Sequence, residues 1–550
     1  MRASLVLAYA FAGLLIVILS GVGAQVYQVP LRAQLGLFQM LPPTYWLGLA
    51  LIAFAALLAY RQASNALVVV TGAILLAVLA GTPSLFEPTP RYWDAYMHFA
   101  QAQQLALSGR IASGDPSAYS VNWPGAFLIM WTLAGATAVT PLAFLSLFPF
   151  LVGAITFVAM FELLRSIVPD ATARAAAVPT ALFAVWAQYH VSPQSLGFIL
   201  ALLILAIVRR PETKWRFICA TLFVSLVVSH PTSAILLITI LSAFAVLSIL
   251  PRLFRSSRAT GNRDGRSWAR IAVTFTTVWL SWLFFLAIGS SEAARTAVIA
   301  RMDVLLNVPE QTLNLVTART AQNVFPLAPL IRSASLGLYG LVGVASLAVL
   351  FRDRSARNEF RFVLAALIGL GVVAVADIFA FSGQFYDRSI LLFATFAPAL
   401  CFAGLRRIQI PRAAKTAVVI LLVGASVATA STAYYLEAFN IVPTESIAAA
   451  DFVNRLPPYS VAVDGKFPEP IWLDPGSRVP VIRLGFAQEW PTPLDELSAP
   501  GAVYAVYDPT AQLWYRQWYG INIYQPYADA RSNYSLIYDN GWTQMYEVHG

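Results

Sequence analysis

The sequence predicts a mainly α-helical, polytopic membrane protein of about thirteen transmembrane helices, ending in a small extracytoplasmic α+β domain. Three observations lead there. Of 550 residues, 58% are hydrophobic and only 11% charged, against about 25% charged in ordinary soluble domains. Apolar runs near the ~20 residues that a helix needs to cross a bilayer recur along the chain. From about residue 440 that pattern gives way to mixed polar, proline-rich and aromatic sequence, long enough for a separate small domain.

Residues 1–80 hold the first three spans, near 3–24, 45–60 and 65–80. The first begins like a secretory signal, with Arg2 ahead of apolar sequence, but the apolar stretch is long for a signal and reads as an uncleaved span. Residues 81–140 form the first large loop. Within it, 91–110 reads as a helix with Thr89 as cap, Pro90 at its first position and Gly109 at its end, and 123–139 as a second, interfacial helix. Ten further spans, near 141–163, 175–189, 194–208, 216–229, 232–250, 271–290, 334–351, 361–380, 389–405 and 416–436, make a transmembrane core over 141–438, broken by a loop at 291–333. In the tail, 439–550, "TESIAAADFVNRL" predicts a helix capped by Thr444, while "YSVAVDG" and "GAVYAVYD" alternate as strands do. "SLIYDNGWTQMYEV" sets Asn540 and Gly541 between two alternating runs, which predicts a hairpin whose two turn residues both take positive φ.

Basic residues orient the spans. With 123–139 lying in the interface rather than crossing, the loops on one side carry 22 of the 36 Lys and Arg residues, the opposite loops eight and the tail six. The positive-inside bias then puts the N-terminus in the cytoplasm and the C-terminal domain outside a cell membrane. Topology accounts for the net charge of +9, and no Lys/Arg tract is interleaved with aromatics, so no nucleic-acid partner is expected. Cys219 and Cys401, the only cysteines, fall inside apolar runs, which argues against a disulfide framework or a thiolate metal site.

This orientation gathers the least structural polar residues on the outer side. Three of the four histidines are among them: His98, His190 in "AQYHVSPQS" with Gln188 and Gln194, and His230 in "SHPTS"; Tyr386 and Arg388 follow in "FSGQFYDRS". On helix 91–110, Asp94, His98 and Gln101 share one face, and Trp93, Tyr96, Met97, Ala100 and Leu107 form the opposite, lipid-compatible one. By spacing alone, Asp94 and His98 serve equally well as the wetted side of an interfacial helix, and each of the other polar residues as a satisfied helix end. Their joint arrival on one side points to a site. Asp377, inside an apolar run, is an ionisable group whose burial asks for either a role or a tight packing partner. Residues 504–546 hold nine tyrosines and three tryptophans, suited to stacking on sugar rings or to the core of a small sheet.

The series Asp94, His98, Gly109, Tyr119 and Pro124, followed by "SPQ" at 192–194, "SHP" at 229–231, Arg388 in "YDRS" and a closing "YDNG", resembles the membrane glycosyltransferases of the C-type (GT-C) fold. The likeness is to archaeal and bacterial members that use polyprenyl-phosphate-linked sugars. It implies an enzyme, a hexosyl- or pentosyltransferase, moving a sugar from a polyprenyl-phosphate donor among the membrane lipids to a lipid, glycan or protein acceptor on the extracytoplasmic face. The chain has no "DxD" or "DE" pair in the outer loop and no "WWDxG", which leaves metal dependence and transfer to asparagine open.

Such a transfer needs a base for the acceptor's proton as it attacks an oxocarbenium-like carbon, and fixed positive charge where phosphate departs. Asp94 is the candidate base, with inversion expected. Arg388, whose planar fork suits phosphate oxygens, is the candidate phosphate ligand; the alternative is an interface anchor that snorkels or pairs with Asp387. His98, Tyr119, Gln188, His190, Gln194, His230 and Tyr386 are candidate substrate-binding residues, and Asp94 with His98 a candidate pair for a divalent cation, Mg or Mn. Two other functions stay open. A transporter or flippase of lipid-linked glycans would carry ionisable groups at mid-membrane depth, and a non-catalytic envelope-assembly protein would leave Asp94 and Arg388 far apart.

Overall fold

The computed structural model describes residues 3–30, 33–109, 119–184, 189–210, 212–249, 261–292, 295, 327–353, 357–380, 385–434, 440–457, 460–463, 467, 482–483, 502–510, 512–513 and 534–548. Helices α1 (Ala3–Gly23), α2 (Pro43–Arg61) and α3 (Asn65–Phe86) come first. After an excursion from the bundle, ten more follow: α7 (Pro141–Ile167), α8 (Asp170–Phe183), α9 (Pro193–Ile207), α10 (Thr213–Ser229), α11 (Pro231–Ile249), α12 (Gly261–Phe285), α13 (Leu327–Arg352), α14 (Arg357–Ala380), α15 (Tyr386–Arg407) and α16 (Arg412–Ala430). Every expected span falls on one of these thirteen. Among the described residues nine are long and apolar enough to cross a membrane; the other four are α8, α9, α10 and α14. With 14 and 15 residues, α8 and α9 fall short of the ~20 that span a bilayer.

Small residues let the helices approach. A Cβ on Gly13 would meet the Gly48 carbonyl oxygen at 2.6 Å, and one on Gly48 the Gly13 carbonyl oxygen at 2.7 Å. The backbones of α1 and α2 therefore touch, the contact by which helices associate in lipid without a hydrophobic driving force. Some polar groups inside the bundle find partners on a neighbouring helix, as apolar surroundings favour. The Tyr339 hydroxyl, for example, reaches the Leu422 carbonyl at 3.1 Å and Ser426 Oγ at 2.7 Å, joining α13 to α16.

The excursion between α3 and α7 comprises α4 (Trp93–Ser108), the short α5 (Tyr119–Asn122) and α6 (Pro124–Thr137). At 14 residues α6 is too short to cross, and it packs on α4. Helix α4 begins at Trp93, not Pro90, and Tyr92 caps it without a side-chain bond. Thr89 is not its cap: the hydroxyl instead donates to the Val442 carbonyl, far along the chain. Tyr96 and Ala100, expected to face lipid, are 0% and 1% exposed. The reason is polar: the Tyr96 hydroxyl donates to the Pro90 carbonyl at 2.9 Å, a partner a lipid-facing phenol would lack.

After α16 a linker leads to α17 (Thr444–Val453) and strands β1 (Val461–Val463), β2 (Ile482–Arg483), β3 (Tyr504–Tyr507), β4 (Ser535–Asp539) and β5 (Gln544–Glu547). They form one sheet in the order β2-β1-β3-β5-β4. β1 runs parallel to β2 and β3, and β5 antiparallel to β3 and β4. Val453, Val461, Val506 and Met545 form the small core between helix and sheet. Thr444 is the first helical residue rather than the cap, which is Pro443. The β4–β5 hairpin forms as expected but through a longer connection, 540–543. Only Gly541 takes positive φ, +86°. Asn540 instead turns its side chain back to accept the Trp542 and Thr543 amides, a side-chain turn that replaces the second left-handed residue.

Candidate active site

Asp94 lies in the first turn of α4, where the helix dipole favours a carboxylate. That turn is held from behind. Glu87 and Arg91 form a buried ion pair, Arg91 Nε reaching both carboxylate oxygens at 2.9 and 3.0 Å, and the guanidinium lies 5.3 Å from the Tyr434 ring centre. The Tyr92 amide donates to the Asn440 carbonyl at 2.8 Å. Tyr92 adopts φ +76°, a conformation an L-residue keeps only where its surroundings impose it. Its ring stacks on His190 with centroids 4.3 Å apart, and His190 Nε2 pairs with Asp94 Oδ2 at 3.1 Å. The Asp94 side chain is still 24% exposed against 6% for His190. One carboxylate oxygen is thus fixed while the group stays accessible.

His190 precedes α9, whose first turn is closed by Ser192 Oγ accepting the Ser195 amide at 3.3 Å, with Pro193 at the first position. Gln194 is next, and its Oε1 accepts from Arg388 Nε at 3.2 Å. Arg388 belongs to the first turn of α15. Just ahead of that helix, Asp377 Oδ2 accepts the Phe385 amide at 2.9 Å, so the buried carboxylate ties α14 to the start of α15. His230, between α10 and α11, packs on α9 at Gly197, where an added Cβ would lie 2.6 Å from the His230 Cβ. Its Nδ1 accepts the Ser233 amide at 3.3 Å, which leaves the proton of the neutral ring on Nε2.

Electrostatics join these pieces. His98 interacts with Asp94 and His190, and His230 with Arg388 and His98. Burial pushes the His98 imidazole down to about 4, with Asp94 opposing and His190 adding to the shift; His98 is therefore neutral near pH 7. Burial, then Arg388 and His98, hold His230 well below the usual range. Burial raises the Tyr119 phenol, against the pull of Arg388. His98 and Tyr119 flank Phe127, with ring centroids at 5.8 and 6.1 Å.

Asp94, His98, Tyr119, His190, Gln194, His230 and Arg388 therefore converge. Gln188 and the side chains of Tyr386 and Asp387 lie outside the described residues. Sequence reasoning missed Glu87, Arg91 and Tyr92. The first two carry a readable signal, opposite charges four apart; the backbone of Tyr92 carries none.

A magnesium- or manganese-type ion asks for several oxygen ligands. The expected pair does not provide them: Asp94 brings one carboxylate among imidazoles, and among the described residues no three His, Cys, Asp or Glu side chains are placed so as to hold a metal ion. The described donor set does not fit such an ion.

Helices of membrane length, an excursion of short helices bearing an acidic residue and a small α+β domain at the same end make this a polytopic protein of the GT-C fold. Among the solved structures it resembles are three of the oligosaccharyltransferase AglB from the archaeon Archaeoglobus fulgidus. Against its complex with Zn and sulfate, identity is 13%, TM-score 0.53, and the match covers 87% of this chain and 72% of the other. Against the apo form the values are 12%, 0.52, 84% and 71%. Against the complex with an inhibitory peptide and a dolichol-phosphate they are 12%, 0.51, 89% and 74%. At such identity the likeness is one of fold. No protein-family profile and no curated protein matches the sequence.

Proposed function

We propose that this protein is a membrane glycosyltransferase that moves a sugar or glycan from a polyprenyl-phosphate-type carrier to a lipid, glycan or protein acceptor on the extracytoplasmic face, with its N-terminus in the cytoplasm. One observation carries the reading: a single turn, 190–194, holds a carboxylate through His190 and an arginine through Gln194. A base and a phosphate ligand are thereby fixed relative to each other, which is what displacement at an anomeric carbon between acceptor and leaving phosphate requires.

Asp94 accepts the proton of the acceptor nucleophile as it attacks. Arg388, permanently charged, binds the phosphate as negative charge develops there. His98 is neutral, His230 carries its proton on Nε2, and the Tyr119 phenol stays protonated; all three can hydrogen-bond sugar hydroxyls or phosphate oxygens without adding charge. A single displacement inverts the anomeric centre. The dolichol-phosphate and the peptide bound to AglB favour a lipid-phosphate donor and are compatible with a peptide acceptor.

The test has two parts. After deletion of the gene, mass spectrometry of surface glycans and carrier lipids is expected to show a missing sugar and an accumulated lipid-linked donor. Complementation with Asp94→Asn or Arg388→Ala, at normal expression, should leave that defect; restoration by either variant overturns the assigned role.

A further inference from the structure

A groove of about 360 Å3 opens along the seam between the helical bundle and the C-terminal domain. It lies outside the Asp94–Arg388 cluster, none of whose residues lines it. Tyr27 and Gln28 come from the α1–α2 connection, Pro88 from the end of α3, Thr444 and Glu445 from the start of α17, and Trp542 from the β4–β5 hairpin. Its volume is at the lower end of the ~300–1,000 Å3 typical of small-molecule sites.

The walls are built before any ligand arrives. The Val26 amide donates to the Phe86 carbonyl at 2.6 Å, fixing the connection that carries Tyr27. The Thr89 hydroxyl holds the Val442 carbonyl, so the segment with Pro88 is stitched to the one leading into α17. Asn540 Nδ2 donates to the Glu445 carbonyl at 2.7 Å, which ties the hairpin tip to the same helix.

The lining selects a ligand class. Tyr27 is 64% exposed, and Trp542 lines the same groove. Two aromatic faces beside amide, hydroxyl and carboxylate groups match sugar rings, which present C–H faces for stacking and hydroxyls at their rims. Among the described residues that line the groove Glu445 is the one carboxylate and none is Lys or Arg; Glu445 sits in the first turn of α17, where it offsets the attraction of that helix end for anions. A phosphate or an acidic sugar is disfavoured.

We infer that this groove is a second, non-catalytic saccharide site that grips an uncharged part of a glycan. Its assignment to the glycan being transferred or extended rests on the transferase reading; saccharide binding itself does not. The test uses the full chain in nanodiscs on an array of uncharged, sulfated and uronic-acid oligosaccharides, followed by titration of the best uncharged binder. Uncharged oligosaccharides are expected to bind, tenfold or more weakly to Tyr27→Ala and Trp542→Leu, and with unchanged affinity to Asp94→Asn. Absence of any bound saccharide, preference for the anionic members, or wild-type affinity in both aromatic variants overturns the inference. In transfer assays the aromatic variants should raise the KM for glycan and spare kcat. Binding without any transfer by the wild-type chain would sink the transferase reading alone; Asp94-dependent transfer with unchanged KM in the aromatic variants would sink the groove alone.

Discussion

His98 has a protonation state set by its surroundings rather than by its type. Its folded value is about 4 and its ordinary value 6.5. Between those pH values the unfolded chain binds a proton that the folded chain does not, so stability is full above about 6.5 and declines as pH falls towards 4. The shift corresponds to about 3 kcal/mol at most. The thermal midpoint of the solubilised protein is therefore expected to drop between pH 7 and pH 4.5, and His98→Gln to flatten part of that drop; parallel profiles would refute the burial argument. At Asp94, Asn keeps the size and a hydrogen bond to His190 but cannot take a proton. Asp94→Asn should lower kcat by about 10²–10⁴-fold, the usual contribution of a general base, with KM for the lipid donor nearly unchanged. Steady-state kinetics with a lipid-linked donor would check it, and a loss confined to KM would remove the base role.

Helix α4 shows where local rules stop. Thr89 and Pro90 form a good helix start on paper, yet the Thr89 hydroxyl bonds Val442, and a long-range partner outcompetes the local cap. Just ahead of the helix lies the Glu87–Arg91 pair, with side chains 0% and 2% exposed. Breaking a buried pair strands a charge and costs about 3–5 kcal/mol, whereas replacing both partners with apolar groups is often near neutral. Arg91→Met should therefore lower the melting temperature markedly and Glu87→Leu/Arg91→Met recover most of it; equal losses would mean that the pair contributes by packing alone. On α9, Gly197 makes room for His230. Gly197→Val should displace that histidine and weaken binding of a lipid-linked donor, while circular dichroism still shows a helical fold.

Hydrogen bonds and charge interactions bring α4, the turns at 190–194 and 230, the start of α15 and the segment leading into the C-terminal domain together at one end of the bundle. If that end is extracytoplasmic, Ser535→Cys on β4 should react with a membrane-impermeant maleimide on intact cells, and Gln62→Cys, at the α2–α3 connection, only after permeabilisation. The native Cys219 and Cys401 are buried and give a quiet background. The reverse labelling would invert the topology and remove the extracytoplasmic transferase reading.

The spans were legible because hydrophobicity summed over about 20 residues is a one-dimensional quantity that needs no knowledge of neighbours. The same holds for the change of composition near 440 and for the polar residue types gathered at one end. Sequence could not say that His190 would hold Asp94 across 96 positions, or that Gln194 would hold Arg388 across 194. Nor could it foresee the positive φ of Tyr92, or Tyr96 and Ala100 of α4 turning into protein. Those outcomes depend on which helix ends meet, and a side chain shielded from water takes whatever partner the packing brings within reach. Composition and periodicity determined a membrane bundle with a polar end; only the tertiary structure decided which of those polar groups form a site.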